Sequence, residues 1–206
     1  MKAREGDYLE DFSGTIFDVK GLVHPPNRIV AFPRFIPNLA GERKRGNVAY
    51  NKVYALSERF ALLEKKFPQY MVYDKVFNEN LCEVPVQVVK HHHQPARHLQ
   101  DLRRGDELDE VERTALRFVE LMKENAEVQW SKLGISGSIL VKLHIPTSDI
   151  DPIVYGSETC YKVYSALRRM LEKRKSLLKP YSLKELKELF DFRSKDTVTS
   201  FEDFVR

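Results

Sequence analysis

The residues able to do chemistry gather in one stretch, 133–156, which reads Leu-Gly-Ile-Ser-Gly-Ser-Ile-Leu-Val-Lys-Leu-His-Ile-Pro-Thr-Ser-Asp-Ile-Asp-Pro-Ile-Val-Tyr-Gly. Its pattern predicts a short strand ending at Ser136, a turn at Gly137-Ser138 and an apolar helix to about Leu143. A loop through Pro146 follows, then a second strand from Asp149 to Tyr155. Alternate side chains of a strand share a face and lie roughly 6–7 Å apart, so Asp149 and Asp151 point the same way. Ile150 and Val154 are left to face the core. Two neighbouring carboxylates repel each other unless a cation neutralises them. Carboxylates supplemented by phosphate oxygens are the donor set that Mg²⁺ takes. Gly137 would let the backbone approach a phosphate without a Cβ in the way. Ser138 would offer a hydroxyl and a backbone N–H at a helix N-terminus, where an anion is favoured. The chemistry these residues suggest is divalent-metal chemistry on a polyphosphate.

Gly137-Ser138, a spacer of ten residues, and then Asp149-Ile150-Asp151 resemble the nucleotidyltransferase signature of the DNA polymerase beta superfamily. Ser148 and the ending Val154-Tyr155-Gly156 are similar to that family too. The flanking helices extend the likeness over roughly 106–206, and the whole chain resembles uncharacterised archaeal members. The resemblance implies an α+β fold in which a small mixed sheet carries helices. It implies transfer of a nucleoside monophosphate from an NTP to a hydroxyl, with pyrophosphate leaving. Asp149 and Asp151 would be the catalytic residues and hold Mg²⁺ or Mn²⁺. Gly137, Ser138, Ser148 and Lys142 would bind the nucleotide. The acceptor stays open among a nucleic-acid end, a protein side chain and a small-molecule hydroxyl. The alternative is a non-catalytic nucleotide- or RNA-binding protein on the same fold.

The chain departs from the family in three places. Lys142 stands where many small members have a second glycine, and it serves either as a point charge for phosphate or as a surface residue. Pro152 removes a ladder donor and predicts an edge or distorted strand. The family's third carboxylate sits on a later strand, yet only helices are predicted after Gly156. Within the chain, Asp18 in Ile16-Phe17-Asp18-Val19 is the best-placed substitute; a salt bridge to a nearby Lys or Arg is the competing role.

The elements that must position this stretch divide into a β-rich module, 1–104, and a helical part, 105–206, which is incomplete at its end unless 200–206 dock on the body. Strands are expected at 7–12 and 15–22 around the turn Ser13-Gly14, and at 28–36 and 48–56 around the polar loop 37–46. Glu42-Arg43-Lys44-Arg45 in that loop reads as a solvated tip or a phosphate-touching finger. Pro33 predicts an edge or a bulge. Ser57 is expected to cap a helix to Lys66, with strands at 70–77 and 81–89 beyond it. His91-His92-His93 then closes a strand, where only His91 and His93 could share an ion. Pro95 can open a short helix. A helix over 106–125 carries acids in its first turn. Cys160, Tyr164, Leu167 and Leu171 form the expected inner stripe of a helix over 157–174. Ser182 to Glu185 is a capping box, with Leu183, Leu186 and Phe190 facing inward. Aromatic and basic residues interleave across 28–54, as core or as a base-stacking face.

Composition bounds the rest. The chain has 206 residues, 42% apolar and 31% charged, so it can bury a core and is not a disordered chain. It shows no apolar run approaching the roughly 20 residues of a membrane span and no secretory leader. The excess of four positive charges permits a polyanionic partner without requiring one. Two distant cysteines fit buried thiols in a reducing compartment, so a cytoplasmic location is expected. Sparse Asn and Gln beside abundant Lys, Arg and Glu lean toward a heat-adapted source.

Overall fold

The computed structural model describes residues 1–173, 177–194 and 199–205. The fold is mixed α/β, built on a curled antiparallel sheet. It begins with β1 (Tyr8–Asp11) and β2 (Ile16–Val19). Their turn closes because the Asp11 carboxylate accepts the backbone N–H groups of Ser13 and Thr15, at 2.9 and 3.0 Å. Gly14 supplies the positive φ, +82°. The remaining strands of this sheet are β3 (Arg28–Pro37), β4 (Arg43–Arg45), β5 (Val48–Lys52), β6 (Met71–Asp74), β7 (Glu79–Pro85) and β8 (Val89–His93). The order is β4-β5-β3-β2-β1-β8, and β7 joins β6 to the first residues of β3. Opposite Pro33 the register of β2 slips between Ile16 and Phe17, so the missing donor falls at an irregularity.

Side chains alternate across this sheet with period two. Leu9, Phe17 and Val19 pack beneath α1 (Leu56–Lys66) with Leu63, Phe67 and Tyr70. Tyr8, Ile16, Phe35 and Tyr50 face the other way, onto Leu140, Val141 and Leu143. The second half contributes α2 (Pro95–Arg104), α3 (Glu110–Ala126), a two-stranded sheet of β9 (Leu133–Ile135) and β10 (Pro152–Val154), α4 (Gly137–Leu140) and α5 (Ser157–Glu172). Beyond them α6 (Leu183–Arg193) and α7 (Phe201–Val205) pair through Phe190, whose ring lies 5.4 and 5.5 Å from those of Phe201 and Phe204. No described helix is long and apolar enough to cross a membrane.

Leu99 and Leu102 of α2 share one core with Ala115, Val119 and Met122 of α3. Several expectations are corrected. The cap before α1 is Ala55, not Ser57, and no side chain caps it. The run 90–93 belongs to β8, which pairs with β1. The buried stripe of α5 is Thr159, Val163, Ala166 and Met170, one residue back from the expected set, while Cys160, Tyr164 and Leu171 are exposed. Both stripes are apolar enough; the small and β-branched one lets α5 approach α3 closely. Leu183 is exposed, and no residue of α6 is buried.

Candidate functional site

Asp149 and Asp151 sit in the extended lead-in to β10, which is shorter than the expected strand. The lead-in is tied to the end of β9 by the Ser136 N–H, which donates to the Asp151 carbonyl at 2.8 Å. The alternation predicted for this segment holds. Asp149 and Asp151 line one cleft, of about 680 Å³, while Ser148 and Ile150 line another, of about 500 Å³, against the start of α3. The four residues 148–151 are thus a wall between two hollows.

Gly137 has a specific steric task. Its φ is +66°, and an ideal Cβ there would lie 1.9 Å from Oδ2 of Asp151. The Asp151 carboxylate rests directly on the glycine, so the spacing between Gly137 and Asp151 encodes a contact within the chain. The helix after it is only one turn, wholly buried, in place of the helix expected to Leu143. Ser138 is buried, and its carbonyl accepts the Leu143 N–H at 2.8 Å. Lys142 is exposed with φ +54°, in the turn after α4, and does not line the cleft. The Ser148 hydroxyl accepts the Ile145 N–H at 2.9 Å and closes its own loop.

The cleft's cations come instead from distant parts of the chain. Arg34 (β3), Lys52 (β5) and Arg193 (α6) line it, as does Glu58 in the first turn of α1. Among the described residues neither Asp149 nor Asp151 forms an ion pair within 4.0 Å. Burial, and then the charge of Asp149, push the Asp151 carboxyl above its ordinary range, against the pull of Lys52, Arg34 and Arg193. Burial and the nearby Arg34 and Arg43 push the Lys52 amine down to about 8, although Asp151 and Asp149 draw it up. The Arg34 guanidinium donates to the Val53 carbonyl at 2.7 Å and stacks 5.3 Å from the Tyr54 ring centre. Phe192 meets the same ring edge-on at 5.9 Å.

The basic run in the loop 37–46 is divided: Glu42 and Lys44 are exposed, while Arg43 and Arg45 turn inward. It forms β4, whose arginines staple the site loop to the sheet. Arg43 is buried and donates to the Leu143 carbonyl at 2.6 Å and to the Tyr54 hydroxyl at 3.4 Å. Arg45 donates to Glu10 at 2.8 Å and to the Tyr50 hydroxyl at 3.0 Å.

The histidine run is likewise absorbed. His92 pairs with Asp7 at 2.7 Å and His93 with Glu10 at 3.0 Å. Burial alone would raise the Glu10 carboxyl, but the hydrogen bonds from His93 and Arg45 prevail and hold it near 2, at about 2 against an ordinary 4.5. Asp18 is buried beside Lys20 at 2.9 Å and Arg59 at 3.7 Å, the salt-bridge role rather than that of a third acid.

Comparison with other proteins adds one relative. The chain is 31% identical, over 213 aligned positions, to an uncharacterized protein of Methanocaldococcus jannaschii. All of this chain is matched, and it spans 62% of that relative's length. No family model and no solved structure matches.

A second acidic grouping lies on the far side of the 148–151 wall. Among the described residues, Asp109, Glu112 and His144 are the one trio of histidine or acidic groups with ligand atoms all within 4.8 Å. Two of them form the capping box of α3: Asp109 accepts the Glu112 N–H at 2.9 Å, and Glu112 accepts the Asp109 N–H at 3.2 Å. His144 joins Asp109 at 2.6 Å and fastens the site loop to the helix. The trio is accounted for as a clamp.

Proposed function

We propose that the protein is a divalent-metal-dependent nucleotidyltransferase of the DNA polymerase beta type. In this reading it moves a nucleoside monophosphate from an NTP to a hydroxyl acceptor. The observation that carries the reading is the placement of Asp149 and Asp151. Both are free of ion pairs among the described residues, and they face one cleft with Asp151 seated on Gly137. Two adjacent carboxylates that face one cleft repel each other, and a divalent cation between them relieves that repulsion. Asp149 and Asp151 would hold Mg²⁺ or Mn²⁺. The metal supplies activation of the attacking oxygen and neutralisation of charge at phosphorus.

The chain's own groups supply the rest. Arg34, Lys52 and Arg193 balance Glu58, Asp149 and Asp151, three charges against three. Divalent cations added to that set leave a surplus of positive charge suited to a polyphosphate. Arg34 and Lys52 would hold the phosphates whose departure as pyrophosphate completes the transfer, a task the sequence assigns to Gly137 and Ser138 with Lys142 as a candidate point charge. The roles assigned from sequence to Ser138 and Ser148 shift too: both keep the carboxylates in place through the backbone of their loop.

A second reading, binding without transfer, draws on a different observation. Among the described residues Asp149 and Asp151 form no trio with a third histidine, cysteine or acidic group whose ligand atoms all lie within 4.8 Å of one another, and Glu58 merely shares the cleft. One assay separates the two. Protein is incubated with labelled NTPs, Mg²⁺ or Mn²⁺ and a panel of nucleic-acid, protein and small-molecule acceptors, and pyrophosphate is measured. Release that Asp149→Asn and Asp151→Asn both abolish supports transfer; nucleotide binding with no release across the panel supports the second reading.

A further inference from the structure

We infer that Phe192 and Tyr54 form a stacking platform for the nucleobase, so that the site takes nucleoside triphosphates by the face of the base and discriminates little among the four. The inference rests on the nucleotide-site reading and adds which part of the substrate is recognised, and by what. Both rings line the same cleft as Asp149 and Asp151. They stay 59% and 46% exposed, although they meet edge to face, so Phe192 keeps a face open to a ligand. The two rings have different origins. Tyr54 follows β5 and is held in place from below: Arg34 lies 5.3 Å and Lys52 Nζ 4.8 Å from its ring centre, and the Arg43 guanidinium reaches its hydroxyl. Phe192 arrives on α6, a helix that buries none of its residues. A helix with so little core of its own presents Phe192 and Arg193 side by side to the cleft.

The chemistry of the lining decides what is read. A base edge is read by Arg, Lys, Asn, Gln, Asp, Glu, Ser or Thr held at fixed positions and not committed to another part of the ligand. The side chains lining this cleft are cationic, acidic, aromatic or, at Ala55, a methyl group. Cations and acids serve phosphate and metal. The rings serve any base, because every base has a π-face and stacking tolerates sequence. Loss of a stacking ring costs about 1–3 kcal/mol, or about 5- to 150-fold in affinity.

Calorimetric titration of the full chain in Mg²⁺ tests this, using the α,β-methylene analogues of ATP, GTP, CTP and UTP beside inorganic tripolyphosphate. The platform predicts that the nucleotides bind about 5- to 150-fold tighter than tripolyphosphate and within tenfold of one another. Phe192→Ala should bring them down to the tripolyphosphate level without changing tripolyphosphate itself, and Phe192→Trp should retain their advantage. Because Phe192 is largely exposed, the alanine variant keeps its fold. Nucleotides binding no tighter than tripolyphosphate, an advantage that survives Phe192→Ala, or a preference above tenfold for one base would each overturn the platform. If Asp151→Asn still abolishes binding in those cases, the carboxylate site stands without the platform. If the unaltered protein binds neither nucleotides nor tripolyphosphate, both inferences fall.

Discussion

Gly137→Ala places a methyl group where the Asp151 carboxylate now lies, and its cost can be worked out in two parts. The first is conformational. At φ +66° a residue with a Cβ pays about 1–2 kcal/mol. The second is steric. The new Cβ would stand 1.9 Å from Asp151 Oδ2 and 2.9 Å from its Cγ, so the side chain must leave or the two backbones must part. Asp151 is exposed, so its carboxylate can rotate out of the way at a cost of about 0.5–1.5 kcal/mol, which gives about 1.5–3.5 kcal/mol for the substitution as a whole. The steric part belongs to Asp151 alone. In an Asp151→Ala background the nearest remaining atom of that residue is its Cβ, at 3.3 Å, a tight contact that a small shift relieves. There Gly137→Ala should cost only the conformational part, about 1–2 kcal/mol. Urea unfolding of the four proteins in this cycle gives the coupling directly, expected at about 0.5–1.5 kcal/mol. Equal costs in the two backgrounds, within about 0.3 kcal/mol, would show that Gly137 is not a seat for the carboxylate.

Three further outcomes follow from the same geometry. Asp151→Asn should raise the Tm of the metal-free protein at pH 7. Its carboxyl titrates above the ordinary 3.8 in the fold, so ionisation destabilises the native state, and the gain should vanish as the pH falls below about 4. Glu10→Gln should do the reverse, because a carboxyl held at about 2 contributes stability above its ordinary 4.5. The deficit, on the order of 3 kcal/mol, should be complete at neutral pH and shrink between about pH 4.5 and 2 in acid-unfolding curves. Arg43→Met should cost about 2–4 kcal/mol in chemical denaturation, since it strands the buried Leu143 carbonyl and unfastens the site loop from β4.

The parts of this structure legible in the sequence are those in which one short segment decides its own conformation. Ser13-Gly14 sets a hairpin, Pro95 opens α2, and Ser182 with Glu185 caps α6, each through bonds within a few residues. Gly137 reads from the sequence as a place for a phosphate to approach the backbone, whereas the structure seats the Asp151 carboxylate there. What the sequence hid comes from long-range packing. Arg34, Lys52 and Arg193 look like ordinary surface charges until β3, β5 and α6 converge on the loop at 149–151. Arg43 and Arg45 read as solvent-facing because the acceptors that bury them, the Leu143 and Val141 carbonyls, lie nearly a hundred residues away. In α5 two apolar stripes one residue apart satisfy the same periodicity, and only the closeness of α3 selects between them.

The proposal that Asp149 and Asp151 hold a cation in company with a polyphosphate is tested by Mn²⁺ binding followed by electron paramagnetic resonance, with and without the α,β-methylene analogue of ATP. Mn²⁺ should bind, the nucleotide should tighten that binding, and Asp149→Asn and Asp151→Asn should each remove it, while His144→Gln leaves it in place. Binding that survives both aspartate substitutions, or that only His144→Gln removes, would contradict it.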